Sequence, residues 1–273
     1  MTTASVDVAV IGAGTAGLAA WRAANAAGTR ALLVEQGPGG TTCARVGCMP
    51  SKLLIAAAEA AHGVERWQEF GLRLDGSLLV DGRAVMARVR RERDRFVGFV
   101  LEGIEAIPEA DRLRGHARFD GDRALVVGGA QRVTFERAVI ATGSTPAIPP
   151  FLRALGDRLV VNDDVFDWDD LPRSVAVFGP GVIGLELGQA LARLGVRVLM
   201  FGRDGHVGPF SDPAIREYAS LAFQRELELD PDARVRSVER EGEGVRLRYR
   251  GPGGAEETTV VDYVIAATGR APN

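Results

Sequence analysis

The stretch Val6-Asp-Val-Ala-Val-Ile-Gly-Ala-Gly-Thr-Ala-Gly-Leu-Ala-Ala20 decides the fold. Val6 to Ile11 is a short apolar run, suited to a strand buried on both faces of a parallel sheet. Gly12, Gly14 and Gly17 follow at G-x-G-x-x-G spacing, and an alanine-rich stretch from Leu18 to Ala27 reads as a helix ended by Gly28. Ala31 to Val34 is a second strand, with Glu35 at its end. In this context Gly12 permits a tight strand-to-helix turn, Gly14 lets backbone approach a pyrophosphate, and Gly17 lets helix and strand pack closely. The helix amino terminus offers unpaired N–H groups to phosphates, and Glu35 is placed to bind ribose hydroxyls. Glycines also make ordinary turns, so the motif alone is weak; the weight comes from strand, glycines, helix, strand and acid in the required order.

The plan recurs. Ser174 to Phe178 is an apolar strand, Gly179, Gly181 and Gly184 repeat the spacing, Leu185 to Leu194 reads as a helix ended by Gly195, and Val196 to Phe201 is the next strand. Gly202 stands where the first copy has Glu35, and Arg203 follows it. Losing the acid removes repulsion against a 2′-phosphate and an arginine can pair with one, which leans toward NADPH; an ordinary surface arginine is the competing reading. The copies also close alike, Ala138-Val-Ile-Ala-Thr142-Gly143-Ser against Val264-Ile-Ala-Ala-Thr-Gly269-Arg. Alternating runs at 123–127 with 132–135, and 245–249 with 257–261, read as antiparallel hairpins. The expectation is an α/β chain of two Rossmann-like dinucleotide-binding domains, residues 1–150 and 151–273, each with a small antiparallel β meander.

Two further helices, from about Cys43 to His62 and from about Val85 to Ile104, have no counterpart in the second copy. The first carries both cysteines of the chain, in Gly39-Gly-Thr-Thr-Cys43-Ala-Arg-Val-Gly-Cys48-Met-Pro-Ser-Lys52. A helix amino terminus lowers a thiol pKa, Pro50 suits an early helical position, and Gly47 allows tight backbone between the sulfurs. Two inert core cysteines are an alternative. A zinc site needs more ligands, and His62, His116 and His206 form no ligand-spaced cluster, so no metal site is assigned.

Bulk properties exclude several classes. The 273 residues carry a net charge of −3, with 46% hydrophobic and 25% charged residues, as in soluble globular chains. That balance argues against a nucleic-acid partner. Arg88, Arg90, Arg91, Arg93 and Arg95 are interleaved with Glu92 and Asp94, as on a solvated helix face. No apolar run reaches the ~18 residues of a membrane span, and no signal peptide is evident, so no membrane partner and a cytoplasmic location are expected.

The cysteine segment resembles the active-site segment of the class I pyridine nucleotide-disulfide oxidoreductases, which include dihydrolipoamide dehydrogenase, glutathione reductase, mercuric reductase and soluble transhydrogenase. The resemblance spans the whole chain, and its Pro-Ser-Lys ending is closest to dihydrolipoamide dehydrogenase and mercuric reductase. Thr41 departs from the glycine common there. The resemblance implies domains of the glutathione reductase type, the first binding FAD and the second NAD(P)H. It makes Cys43 the interchange thiol that meets the substrate and Cys48 the thiol against the flavin, the two forming a redox disulfide. Lys52 matches a lysine near flavin N5, Glu186 the glutamate that pairs with it, and Thr42, Thr142 and Gly143 the contacts around FAD. Val182 stands where glutathione reductases hold a gating tyrosine. The implied substrate is a small disulfide or dithiol, lipoamide first, with soluble transhydrogenase, another disulfide or metal-ion reductase, or an inactive nucleotide-binding stretch as alternatives. Relatives continue beyond the segment matching Ala271-Pro-Asn273 with a last FAD-domain strand and a dimerisation domain whose His-Glu pair reaches the other subunit. The expectations are therefore an incomplete FAD domain here, weak FAD retention by this stretch alone, and a homodimer at full length.

Overall fold

A computed structural model describes residues 2–251 and 253–273. The chain forms two compact units, one from residues up to Met49, Arg93–Thr145 and Pro272–Asn273, the other from Pro50–Glu92 and Pro146–Ala271.

In the first unit β1 (Thr2–Ile11), α1 (Thr15–Ala26) and β2 (Ala31–Glu35) form the strand–helix–strand start. Val6, Ala9 and Val10 of β1 and all of Ala31 to Val34 are buried, as a central parallel strand requires. The chain continues through α2 (Thr42–Val46), α3 (Cys48–Gly63) and α4 (Gly82–Glu105). Then β3 (Arg112–Arg114), β4 (Ala117–Phe119), β5 (Ala124–Val127) and β6 (Gln131–Ile140) complete a six-stranded sheet in the order β3-β2-β1-β6-β5-β4. The first four strands are parallel; β6, β5 and β4 pair antiparallel. The sequence separates a hairpin strand at 132–135 from a closing strand at 138. The structure joins them as β6, which pairs with β1 on one edge and β5 on the other. The meander of this unit thus extends the main sheet. Residues alternate between its two faces: Leu32 and Val34 pack with Leu125 and Phe135, while Leu33 packs with Val10, Leu18 and Ile107.

After β7 (Ser144–Pro146), the second unit contains β8 (Leu159–Val161), α5 (Asn162–Val165), β9 (Ser174–Phe178), α6 (Val182–Arg193), β10 (Arg197–Phe201), α7 (Pro213–Gln224) and β11 (Glu228–Asp230). A meander of β12 (Arg234–Glu241), β13 (Gly244–Arg250) and β14 (Glu256–Val261) precedes β15 (Tyr263–Ala266). The main sheet is all parallel, ordered β11-β10-β9-β15-β8, and the meander is a separate antiparallel sheet. Leu54, Ala58, Met86 and Val89, from α3 and α4, pack in one cluster with Val177, Leu187, Leu191 and Ile265. Residues 50–92 therefore share the second core, whereas a division at residue 150 follows chain order. Among the described residues, no helix is long and apolar enough to cross a membrane.

Candidate active site

The two glycine motifs are sterically alike. Gly12 has φ +105°, and a Cβ there would lie 2.3 Å from the Ala141 carbonyl oxygen; one at Gly17 would lie 1.7 Å from the Gly12 oxygen. In the second unit Gly179 has φ +103° with the Ala267 oxygen at 2.5 Å, and Gly184 meets the Gly179 oxygen at 2.0 Å. Backbone packing therefore demands the outer glycines. The middle ones differ: a Cβ at Gly14 or Gly181 would meet no protein atom within 4 Å. Each is the N-cap of its helix, and neither helix has a side-chain cap hydrogen bond. First-turn N–H groups without a side-chain partner suit an anion.

Each middle glycine lines a cavity. The first holds about 360 Å³ and is bounded by Gly12, Gly14, Glu35, Thr42, Thr142 and Gly143, among others. The Glu35 carboxylate accepts the N–H groups of Ala13 and Gly37, each at 2.6 Å, so it braces the glycine turn from the cavity wall. Thr142 donates its hydroxyl to the Asn273 carbonyl at 3.3 Å, and Gly143 takes φ +72°. The second cavity holds about 790 Å³, with Gly179, Gly181, Val182, Arg203, His206 and Gly269 on its walls. Arg203 is exposed and ion-paired to Asp204 at 3.0 Å. Gly202 has a steric reason to be glycine: a Cβ there would fall 2.6 Å from the Pro231 oxygen. His206, to which the sequence assigned no role, lines the same cavity with its Nδ1 3.5 Å from Arg216.

The cysteine helix expected from Cys43 to His62 is broken. Gly47 separates α2 from α3 with φ −128° and ψ −119°, and a Cβ there would press to 3.1 Å from the Thr42 oxygen. The break turns Cys43 back toward the start of α3. The Cys48 thiol and the backbone N–H groups of Cys48 and Met49 lie close enough to the Cys43 sulfur to act on its ionisation. Cys43 is half-buried, Cys48 is exposed, and both are thiols. The expected lowering of the thiol pKa does not hold for Cys43. Burial is the largest influence and, with the adjacent Cys48, raises it; the two backbone N–H groups pull the other way and lose. Thr41 caps α2, its hydroxyl accepting the Ala44 N–H at 3.1 Å, from a backbone at φ +59° and ψ 149°. Lys52 forms an ion pair with Glu186, joining α3 to α6 within the second unit. No cluster of three or more His, Cys, Asp or Glu that could hold a metal occurs among the described residues.

Residues 6–273 match the family described as pyridine nucleotide-disulphide oxidoreductase. The chain is 35% identical to a mercuric reductase of Shigella flexneri, over 100% of its own length and 49% of that protein. It is 30% identical to a dihydrolipoyl dehydrogenase of Geobacillus stearothermophilus, over 98% of its length and 57% of that relative. The chain thus spans about half the length of the curated relatives it matches. Among solved structures, the HOCl-induced flavoprotein disulfide reductase RclA from Escherichia coli superposes with a TM-score of 0.80 at 21% identity, over 98% of this chain and 57% of that one. At that identity the likeness is one of fold.

Proposed function

Because this chain belongs to the pyridine nucleotide-disulphide oxidoreductase family, we propose that it carries the FAD cradle, the nicotinamide-nucleotide cradle and the redox dithiol of a flavin-dependent disulfide oxidoreductase. The observation that carries the reading is the chain break at Gly47, which sets Cys43 of α2 and Cys48 at the start of α3 near enough for one thiol to act on the other. The fit of the cofactors rests on the middle glycines, which open onto cavities beside uncapped helix ends. In this reading residues 1–150 supply the FAD site, with Gly12, Gly14, Gly17, Glu35, Thr42, Thr142 and Gly143. Residues 151–273 supply the NAD(P)H site, with Gly179, Gly181, Gly184, Arg203 and Gly269.

FAD, once bound, supplies the two-electron relay between nicotinamide and sulfur. The chain's own groups do the rest. The Cys43 thiolate attacks one sulfur of a substrate disulfide, a mixed disulfide forms, and one substrate thiolate leaves and takes a proton. Cys48 then attacks the Cys43 sulfur and releases the second thiolate, so the protein disulfide forms as the substrate gains two electrons. Backbone N–H groups of Cys48 and Met49 steady negative charge on Cys43. Lys52, held by Glu186, is the cation assigned to charge on reduced flavin.

Lipoamide is the first substrate. The 35% identity to a mercuric reductase favours a metal-ion reductase as the second reading. The test is a thiol count with added FAD. The reduced chain should show two reactive thiols and none after mild oxidation, with Cys43→Ser retaining one. FAD should bind with quenched flavin fluorescence. Two thiols persisting after oxidation would overturn the reading.

A further inference from the structure

Lys52 is the single lysine among the chain's 33 lysines and arginines. A lysine kept at one place, where every other side chain of that count is arginine, points to a need for a compact point charge that a planar guanidinium does not provide. Such a charge acts only if its position is held, and Lys52 is exposed on α3. Its ion pair with Glu186 has a companion: Glu59 of α3 pairs with Arg193 at the end of α6. Both pairs join residues 134 apart in sequence, so they lie about two turns apart on both helices. Equal offsets require α3 and α6 to run in the same direction, and they fix the register. The polarity is reversed between the pairs, lysine to glutamate at one end and glutamate to arginine at the other. Opposed helices would set Lys52 against Arg193 and Glu59 against Glu186, so the charges select direction as well as register.

Arg193 is the firmer anchor of the two cations. Its Nε and Nη2 donate to the two carboxylate oxygens of Glu226 at 2.6 and 3.0 Å, and Gln189 donates to the same carboxylate at 3.0 Å. This fork holds the guanidinium half-buried and leaves Nη1 for Glu59. Leu54 and Ala58 of α3 share a core cluster with Leu187, Ala190 and Leu191 of α6. Apolar burial supplies adhesion but no direction, so the ion pairs are left to set where α3 stops along α6. From this arrangement we propose that Glu59 and Arg193 are positioning residues for Lys52: they lock α3 on α6 so that the ammonium stays on Glu186 and presents its charge at one place. The inference rests on Lys52 serving as the flavin-side cation, as proposed above, and adds the device that aims it.

The experiment uses the whole chain and limiting acetic anhydride. Because Lys52 is the one lysine, its acetylation rate is read directly by peptide mass mapping, which separates it from the terminal amine. An amine held on a carboxylate is acylated more slowly than a free one, since the partner favours the protonated form. Glu59→Gln and Arg193→Gln should each raise the Lys52 rate about threefold, the modest size expected of exposed ion pairs. Glu59→Asp, which keeps the charge, should return most of the way. Arg197→Gln removes a pair with Glu228 elsewhere in the same unit and should leave the rate alone. With FAD added, Glu59→Gln should lower the flavin midpoint potential in the same direction as Lys52→Gln, because reduced flavin loses a fixed cation. An unchanged Lys52 rate in both Glu59→Gln and Arg193→Gln would overturn the positioning inference alone. An equal rise in Arg197→Gln would overturn it as well, the effect then being general loosening. A flavin potential unmoved by Lys52→Gln would sink the flavin-side role of Lys52 and this inference with it.

Discussion

At the scale of single residues, the departure at Thr41 has the clearest consequence. Its φ of +59° with ψ 149° is a region populated essentially by glycine and costs a side-chain residue about 1–3 kcal/mol. The Ala44 N–H to its hydroxyl returns part of that. Replacing a capping threonine by glycine loses only a few tenths of a kcal/mol, whereas alanine loses about 1 kcal/mol. Thr41→Gly should therefore stabilise the chain by about 1 kcal/mol and Thr41→Ala should destabilise it by a similar amount, read from denaturant midpoints. Cys43 supplies a pH signature. Its pKa in the fold is raised, chiefly by burial. A raised acid contributes stability that is complete below its unfolded value of about 8.5 and is lost as pH climbs through the folded value. The reduced chain should weaken in denaturant on the alkaline side of that value. Iodoacetamide should label Cys43 more slowly than a free peptide thiol at pH 8. Equal labelling rates would contradict the burial argument.

At the scale of elements, what the sequence disclosed and what it hid have distinct physical causes. Both glycine turns, with their helices, were legible because positive φ and backbone contacts at Gly12, Gly17, Gly179 and Gly184 exclude other residues. The hairpin of β13 and β14 was legible because alternation sets register, and Val245 and Tyr249 do oppose Val261 and Glu257. The break at Gly47 was hidden because an apolar pattern running through a glycine looks continuous; only the Thr42 carbonyl, brought close by the fold, crowds a side chain there. Helix α7 was passed over although its start is marked by Asp212, which accepts the Ala214 and Ile215 N–H groups, followed by Pro213. Gly202 was read as a lost acid with consequences for nucleotide choice, but the Pro231 carbonyl gives it a packing reason as well. Gly202→Asp should thus fail as a simple switch toward NADH. Expected is a loss of about 2 kcal/mol or more of stability, as for overpacked sites, together with weaker binding of both nucleotides. Calorimetric melts and nucleotide titrations check it; a stable variant that gains NADH affinity would count against the steric account.

At the scale of the whole molecule, one architecture is used twice, and the two cradles should be separable. Neither Gly14 nor Gly181 has a protein atom within 4 Å of its Cβ direction, and both have extended backbone that any residue adopts. Valine at either site is accommodated by the protein and intrudes only on a ligand. Gly14→Val should abolish the thermal shift produced by FAD while keeping that produced by NADPH, and Gly181→Val should do the reverse. A ligand at 100 times its Kd stabilises by about 2.7 kcal/mol, a shift readily seen in a melt. Loss of both shifts in either variant would argue against independent cradles. The interleaving of the two units also shapes how the chain is born. The six described strands of the first unit's sheet have all been made once β6 has left the ribosome, whereas Leu54, Ala58, Met86 and Val89 await neighbours on α6 and β15. At roughly 5–20 residues added per second, those apolar side chains stay uncovered for on the order of ten seconds. Nascent chains of this protein should be most dependent on chaperones during that interval.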